Sequence, residues 1–186
     1  DMDNVIVDFK SALRKRGLPE DTNNADDIDG IFSEMDPMPG AIAGYNKLDE
    51  MGHDVYILST APWKNPSAWS DKLLWVKEHL GKVAYKRLIL SHNKNLNSGD
   101  YLIDDRVANG AGEWGEKLLR FGFDKNGEPF DYPNWDSIIE FFKSFVFKYS
   151  VIRCTMTSVS VCDLNLCPFS TKYFFNWVFP RSLPSN

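Results

Sequence analysis

Four short clusters of polar residues have the types and spacing that chemistry needs. Asp1-Met2-Asp3 sets two carboxylates two residues apart. In an extended segment such residues point to the same side. One could then act as a nucleophile toward phosphorus and the other as a general acid and base. The plainer alternative is a solvated acidic stretch, or Asp3 or Asn4 capping the helix that follows. Asp104-Asp105 closes an apolar run at 101–103. Adjacent carboxylates at a strand end suit Mg²⁺, a hard ion that takes oxygen ligands and keeps several waters. They equally suit a helix N-cap, since a helix-compatible stretch follows at Gly110. Ser59-Thr60 ends another apolar run and could donate hydrogen bonds to phosphate oxygens, or only satisfy nearby backbone groups. Lys94 by itself is a solvated charge. Taken together, a metal, a carboxylate nucleophile, hydroxyl donors and an ammonium are what phosphoryl transfer requires, because that reaction depends on positioning and charge neutralisation.

The elements that must position these groups alternate. Residues 8–16 are helix-compatible and stop at Gly17 and Pro19. Residues 20–30 are acidic and polar, and read as a loop or covering segment. From 41 to 51, Ile42, Tyr45, Leu48 and Met51 fall on one helical face, with Gly52 as the stop. Residues 55–58, 87–90, 101–103 and 117–121 read as short buried strands. Between them, 69–80 reads as a helix with Leu73, Leu74, Val76 and Leu80 on its apolar side, closed by Gly81. Residues 135 to about 147 read as a last amphipathic helix. Strands separated by helices predict right-handed βαβ units, a mostly parallel Rossmann-like sheet and helices on both faces. In such sheets ligands bind beyond the carboxyl ends of the strands, which is where Ser59-Thr60, Ser91, Lys94 and Asp104-Asp105 fall.

On these residues the chain resembles the haloacid dehalogenase-like phosphohydrolases. Asp1-Met2-Asp3-Asn4-Val5, Ser59-Thr60-Ala61-Pro62, and Lys94 ten residues before Asp104-Asp105 are similar to the four ordered motifs of that superfamily. More narrowly, Asp-Met-Asp-Asn-Val-Ile-Val-Asp-Phe, Ile-Leu-Ser-Thr-Ala-Pro-Trp and Gly-Asp-Tyr-Leu-Ile-Asp-Asp-Arg look like the 5'(3')-deoxyribonucleotidase branch, of cytosolic and mitochondrial type, with its bacterial and phage relatives. The resemblance implies Mg²⁺-dependent hydrolysis of (deoxy)nucleoside 5'- or 3'-monophosphates through an aspartyl-phosphate. Asp1 would be the nucleophile and Asp3 the acid and base. The metal would be held by the Asp1 carboxylate, the Asp3 main-chain carbonyl and the Asp104/Asp105 pair. Ser59, Thr60 and Lys94 would bind the transferring phosphate. The base would meet Phe9, and Phe32 is a second candidate whose alternative is ordinary packing. A small helical cap is expected at about 15–50, inside a body spanning 1–147. Partners would be a small nucleotide, with a homodimer as an open arrangement and the cytoplasm as the expected location. Two other readings remain: a phosphatase of another small phosphomonoester, and an inactive remnant.

That family places an apolar strand directly before the nucleophile, whereas this chain opens on Asp1. The expectation is a missing first strand and weak activity in its absence. Residues 148–186 form an atypical tail of doubtful origin. Within the last 36 residues lie all three cysteines (Cys154, Cys162, Cys167) and only four charged residues. Deleting 151–186 is expected to leave activity unchanged.

Composition narrows the classes. The chain has 186 residues, 43% hydrophobic and 14% aromatic, enough for one domain core. A net charge of −5 argues against binding nucleic-acid polymers or a membrane surface through phosphate neutralisation. No apolar stretch reaches the length of a membrane span. Gly110-Ala-Gly-Glu-Trp-Gly115 is a literal G-x-G-x-x-G, but it does not follow the first strand of a βαβ unit as a dinucleotide fingerprint must. Asp26-Asp27-Ile28-Asp29-Gly30 lacks EF-hand spacing, and the three histidines lack metal spacing.

Overall fold

The structure is a computed structural model that describes residues 1–156, with side chains to residue 145. Its elements in chain order are β1 (Val7–Asp8), α1 (Phe9–Lys15), β2 (Asp36–Pro37), α2 (Ala41–Glu50), β3 (Ile57–Ser59), α3 (Ser67–His79), β4 (Leu88–Leu90), β5 (Leu102–Asp104), β6 (Leu118–Arg120) and α4 (Trp135–Met156). Four 3₁₀ helices lie at Ala25–Asp27, Ile31–Ser33, Lys94–Leu96 and Ala111–Lys117. The chain forms a compact unit, Asp1–Val146, and a second, Phe147–Asn186. The expectations for residues 157–186, with Cys162 and Cys167, lie outside the described residues.

The class is mixed α/β, with short parallel pairs. β3 runs parallel to β4 in the register Leu58↔Ile89, and β5 parallel to β6 in the register Ile103↔Leu119. β1 and β2 pair antiparallel. Among the described residues these are three two-stranded ladders rather than one continuous sheet. The opening residues are nevertheless registered against β5, because the main-chain nitrogen of Asp1 donates to the Ile103 carbonyl at 2.5 Å. A tight turn follows. The Met2 carbonyl accepts from the amides of Val5, Ile6 and Val7, and Asn4 turns the corner at φ 56°. Asparagine is among the few non-glycine residues that tolerate this region.

Three sequence expectations need correcting. The buried face of α3 is Ala68, Lys72, Trp75 and Val76, whereas Leu73 and Leu74 are exposed. The i, i+4, i+7, i+8 spacing therefore runs through a lysine, and the leucines that carry the apolar composition sit off the face. β4 is half-exposed rather than buried, because among the described residues it pairs only with β3 and ends a ladder. α4 runs to Met156 rather than about Phe147, since no Gly or Pro interrupts the sequence there to stop it.

One core cluster takes in Met2, Val5 and Val7, then Ile31, Phe32 and Met35, then Tyr45 and Leu48 of α2, Ile57, Trp75 and Val76, and Trp135 and Ile138 of α4. The 15–50 segment thus shares this core. Trp75 donates from its indole to the Met35 carbonyl at 2.7 Å, and Asn65 donates to the carbonyls of Asp26 and Ile28. Trp135 reaches the Val5 carbonyl at 2.7 Å and packs against Gly44, where a Cβ would collide with the ring. Glycine is required in α2 at that crossing by close approach.

Candidate active site

Two buried lysines organise the site. Lys94 opens a 3₁₀ turn after β4 and is 2% exposed. Its Nζ lies 2.5 Å from Asp104 Oδ2 and 3.0 Å from Asp1 Oδ1. Asp1 Oδ1 also accepts from the Met2 amide at 2.7 Å. Asp104, at the end of β5, takes the Arg106 amide on its other oxygen at 2.9 Å. Buried charges of this kind need both pairing and hydrogen bonds to persist, and each of the three has them.

Asp105 differs. Its Oδ2 accepts from Asn4 Nδ2 at 3.0 Å, while its Oδ1 is buried and accepts no hydrogen bond, with the Arg106 Nε 3.7 Å away. Burial pushes the Asp105 carboxyl above the ordinary carboxylate range. Arg106 and the Asn4 hydrogen bond oppose that, and Asp104 and Asp3 add to it. One oxygen from each of Asp1, Asp104 and Asp105 lies within 4.8 Å of the others, a spacing that one small divalent cation can span. The Asp3 carboxylate stands outside this trio.

The second lysine, Lys72, has a fully buried side chain. Its Nζ donates to Asp3 Oδ2 at 2.6 Å, to Ser59 Oγ at 2.9 Å and to the Thr60 carbonyl at 2.7 Å. It also sits 4.5 Å from the centre of the Phe32 ring. Burial pushes its pKa down from the usual lysine value, and Asp3 pulls it back. Asp1 and Asp3 are therefore tied to different lysines despite their i, i+2 spacing.

The remaining candidates distribute as follows. Ser59 is fully buried, and its carbonyl accepts the Ser91 amide at 2.8 Å. The Thr60 hydroxyl donates to the Ser91 carbonyl at 3.1 Å and accepts from Asn109 Nδ2 at 3.2 Å, so it also does the backbone work of the plainer alternative. Phe9 and Phe32 meet edge to face with centroids 5.7 Å apart, and Phe32 is 1% exposed. Phe32 belongs to the core, and its neighbour on one side is the lysine that holds Asp3. The glycine-rich run ending at Gly115 lies in the 3₁₀ helix Ala111–Lys117 after β5, not in a strand-to-helix turn.

Sequence reasoning passed over Lys72 and gave Asn4 only a capping role. The signal for Lys72 was available: a charged residue in helical register with Ala68, Trp75 and Val76. The signal for Asn4 was its type, since a left-handed turn beside Asp3 favours asparagine.

The family model described as "5' nucleotidase, deoxy (Pyrimidine), cytosolic type C protein" matches residues 27–129. A protein of Vibrio phage KVP40 named "Putative 5'(3')-deoxyribonucleotidase" is 50% identical over 147 residues, covering 77% of this chain and 82% of its own. A protein of the same name from Bordetella bronchiseptica is 36% identical over 130 residues, 67% of this chain and 68% of its own. The human 5'(3')-deoxyribonucleotidase of cytosolic type is 26% identical over 137 residues, 57% of this chain and 68% of its own.

Proposed function

The chain belongs to the family of cytosolic type C deoxy (pyrimidine) 5' nucleotidases, and from that premise we propose that it hydrolyses (deoxy)nucleoside 5'- or 3'-monophosphates with Asp1 as nucleophile and Asp3 as acid and base. It is a hydrolase of the nucleotidase class. In the first half-reaction an Asp1 carboxylate oxygen attacks phosphorus, the ester P–O bond breaks, and the nucleoside oxygen takes a proton from Asp3. In the second, water attacks the aspartyl-phosphate, gives its proton to Asp3, and phosphate leaves as the Asp1 O–P bond breaks. The proton lent by Asp3 is returned by water, so the cycle closes.

The observation that carries this reading is the pair of buried lysine–carboxylate clusters at the strand ends, with Asp105 Oδ1 buried and accepting no hydrogen bond. One carboxylate oxygen from each of Asp1, Asp104 and Asp105 lies within reach of a shared divalent cation. Asp1 and Asp105 would hold Mg²⁺ through their carboxylates, and the resemblance adds the Asp3 carbonyl. Asp104 has both oxygens engaged by Lys94 and the Arg106 amide, which supports a positioning role for it. When bound, Mg²⁺ would supply charge neutralisation to the phosphoryl oxygens. Lys94 adds positive charge on the Asp1 side, and the Ser59 hydroxyl, which accepts from Lys72, keeps its own proton to donate. Phe9 and Phe32 would stack or edge the base. A cytosolic location, as in the name of the human relative, goes with this reading.

The test is phosphate release from 5'- and 3'-monophosphates of ribo- and deoxynucleosides, with sugar phosphates as controls, in Mg²⁺ and in chelator. Turnover of nucleotides that stops in chelator supports the proposal. Turnover of sugar phosphates alone would transfer the same chemistry to another phosphomonoester.

A further inference from the structure

Lys72 belongs to none of the four sequence motifs, yet it is the most fully committed charged side chain of the site. It occupies the middle of the buried face of α3, where an apolar residue of the same length would fill the space without the cost of desolvating an ammonium. All three of its N–H protons are used, on Asp3 Oδ2, Ser59 Oγ and the Thr60 carbonyl. The consequence for Asp3 is asymmetric. Its Oδ2 is clamped, while its Oδ1 is buried without a hydrogen-bond partner. The consequence for Ser59 is directional, because a hydroxyl that accepts from α3 sends its own proton elsewhere.

We propose that Lys72 is the positioning residue of Asp3: it fixes Oδ2 so that Oδ1 is the oxygen presented to the leaving group and later to water. It touches neither phosphorus nor the leaving oxygen and passes no proton. Through the ring of Phe32, 4.5 Å from its Nζ, it also ties this aim to the wall proposed for the base. The inference rests on the assignment of Asp3 as acid and base.

The measurement separates aiming an acid from binding a phosphate. A deoxynucleoside monophosphate leaves as an alkoxide and needs the proton of Asp3, whereas p-nitrophenyl phosphate leaves as a stable phenolate and does not. The ratio kcat/KM covers only the steps up to departure of that group. For K72M we expect kcat/KM on the nucleotide to fall by about 100-fold or more, and on p-nitrophenyl phosphate by less than about 5-fold. We also expect a burst of p-nitrophenolate, because hydrolysis of the aspartyl-phosphate still needs Asp3. Equal losses on the two substrates, or no loss on either, overturn the proposal. If K72M does not fold, K72R is to show the same unequal loss in smaller measure, and equal losses there overturn it as well. A wild-type protein that cleaves an alkyl phosphate but no nucleotide removes the nucleotide reading alone, and the contrast is then read on that ester against p-nitrophenyl phosphate.

Discussion

Lys15–Asp36 and Lys94–Asp104 are the same chemical pair at nearly the same separation, 2.6 and 2.5 Å, in opposite surroundings. The first joins side chains that are 45% and 58% exposed, the second side chains that are 3% and 1% exposed. Around the first lie Arg14 with Asp8 and Glu20, and Arg16 with Glu34, all on the surface of the 8–36 region. Around the second lie Asp1, Asp105 and the Lys72–Asp3 pair. Exposed pairs contribute about 0–1 kcal/mol each. Buried pairs offset their own desolvation at best, and an apolar replacement of the whole pair would often be as stable. The 8–36 region is therefore held by its apolar residues, Ile31, Phe32 and Met35, with the charges as solvated trim. At the strand ends the charges are present although stability does not ask for them, which agrees with the reacting centre proposed above.

The sharpest break is Asp1→Asn. It keeps the shape and one hydrogen-bonding oxygen but removes the proposed nucleophile, so turnover in an active preparation falls by at least about 10³-fold. Retained turnover would move the nucleophile elsewhere. Lys94→Met follows in size. It leaves Asp1 and Asp104 buried without their cation, which costs about 3–5 kcal/mol of unfolding free energy in urea titrations. The double change Lys94→Met with Asp104→Asn is expected to recover part of that loss, since less charge is left unpaired. Lys15→Met is the surface counterpart and is expected to change stability by less than about 1 kcal/mol. Equal costs for Lys94→Met and Lys15→Met would erase the distinction between the two regions.

The two regions also differ in how far they could be read from the chain. Ser59-Thr60, Lys94 and Asp104-Asp105 follow apolar strands, so strand logic alone brings them to one edge, whereas Asp1 was placed by the resemblance. Helix α2 was legible because Gly52 stops it at φ 88° and Tyr45 and Leu48 keep helical spacing. Lys72 was missed because residue type argues against burial, although its register with Ala68, Trp75 and Val76 was there to be seen; its partners, Asp3, Ser59-Thr60 and Phe32, come from three separate segments. The face of α3 was misassigned for the same reason: Leu73 and Leu74 outrank Lys72 in hydrophobicity, yet the register set by Ala68, Trp75 and Val76 decides what is buried. Long-range pairing cannot be seen in a local pattern.

Titration separates the regions in opposite senses, and its effect is the smallest expected. His53 is half-buried against the Phe142 ring, centroids 4.9 Å apart, and its Nε2 has no hydrogen-bond partner. Burial pushes its pKa below the ordinary 6.5, with Asp100 pulling the other way. The unfolded chain then binds a proton more readily than the fold does, so this contribution to stability is complete above pH 6.5 and is lost as the pH falls from there through the lowered value. Asp105 runs the other way. Its raised pKa means that the metal-free fold holds a proton where the unfolded chain has released it, so stability falls as the pH rises from the ordinary value of 3.8 through the raised one. Melting temperatures of the metal-free protein, followed from about pH 7 down towards the ordinary carboxylate value of 3.8, report the difference. His53→Phe is expected to remove the part of the acid-side loss that belongs to His53, whereas Asp105→Asn, which abolishes the opposing gain on acidification, is expected to leave a steeper loss than the wild type shows. A slope that His53→Phe does not alter would mean that the imidazole is as well solvated in the fold as out of it.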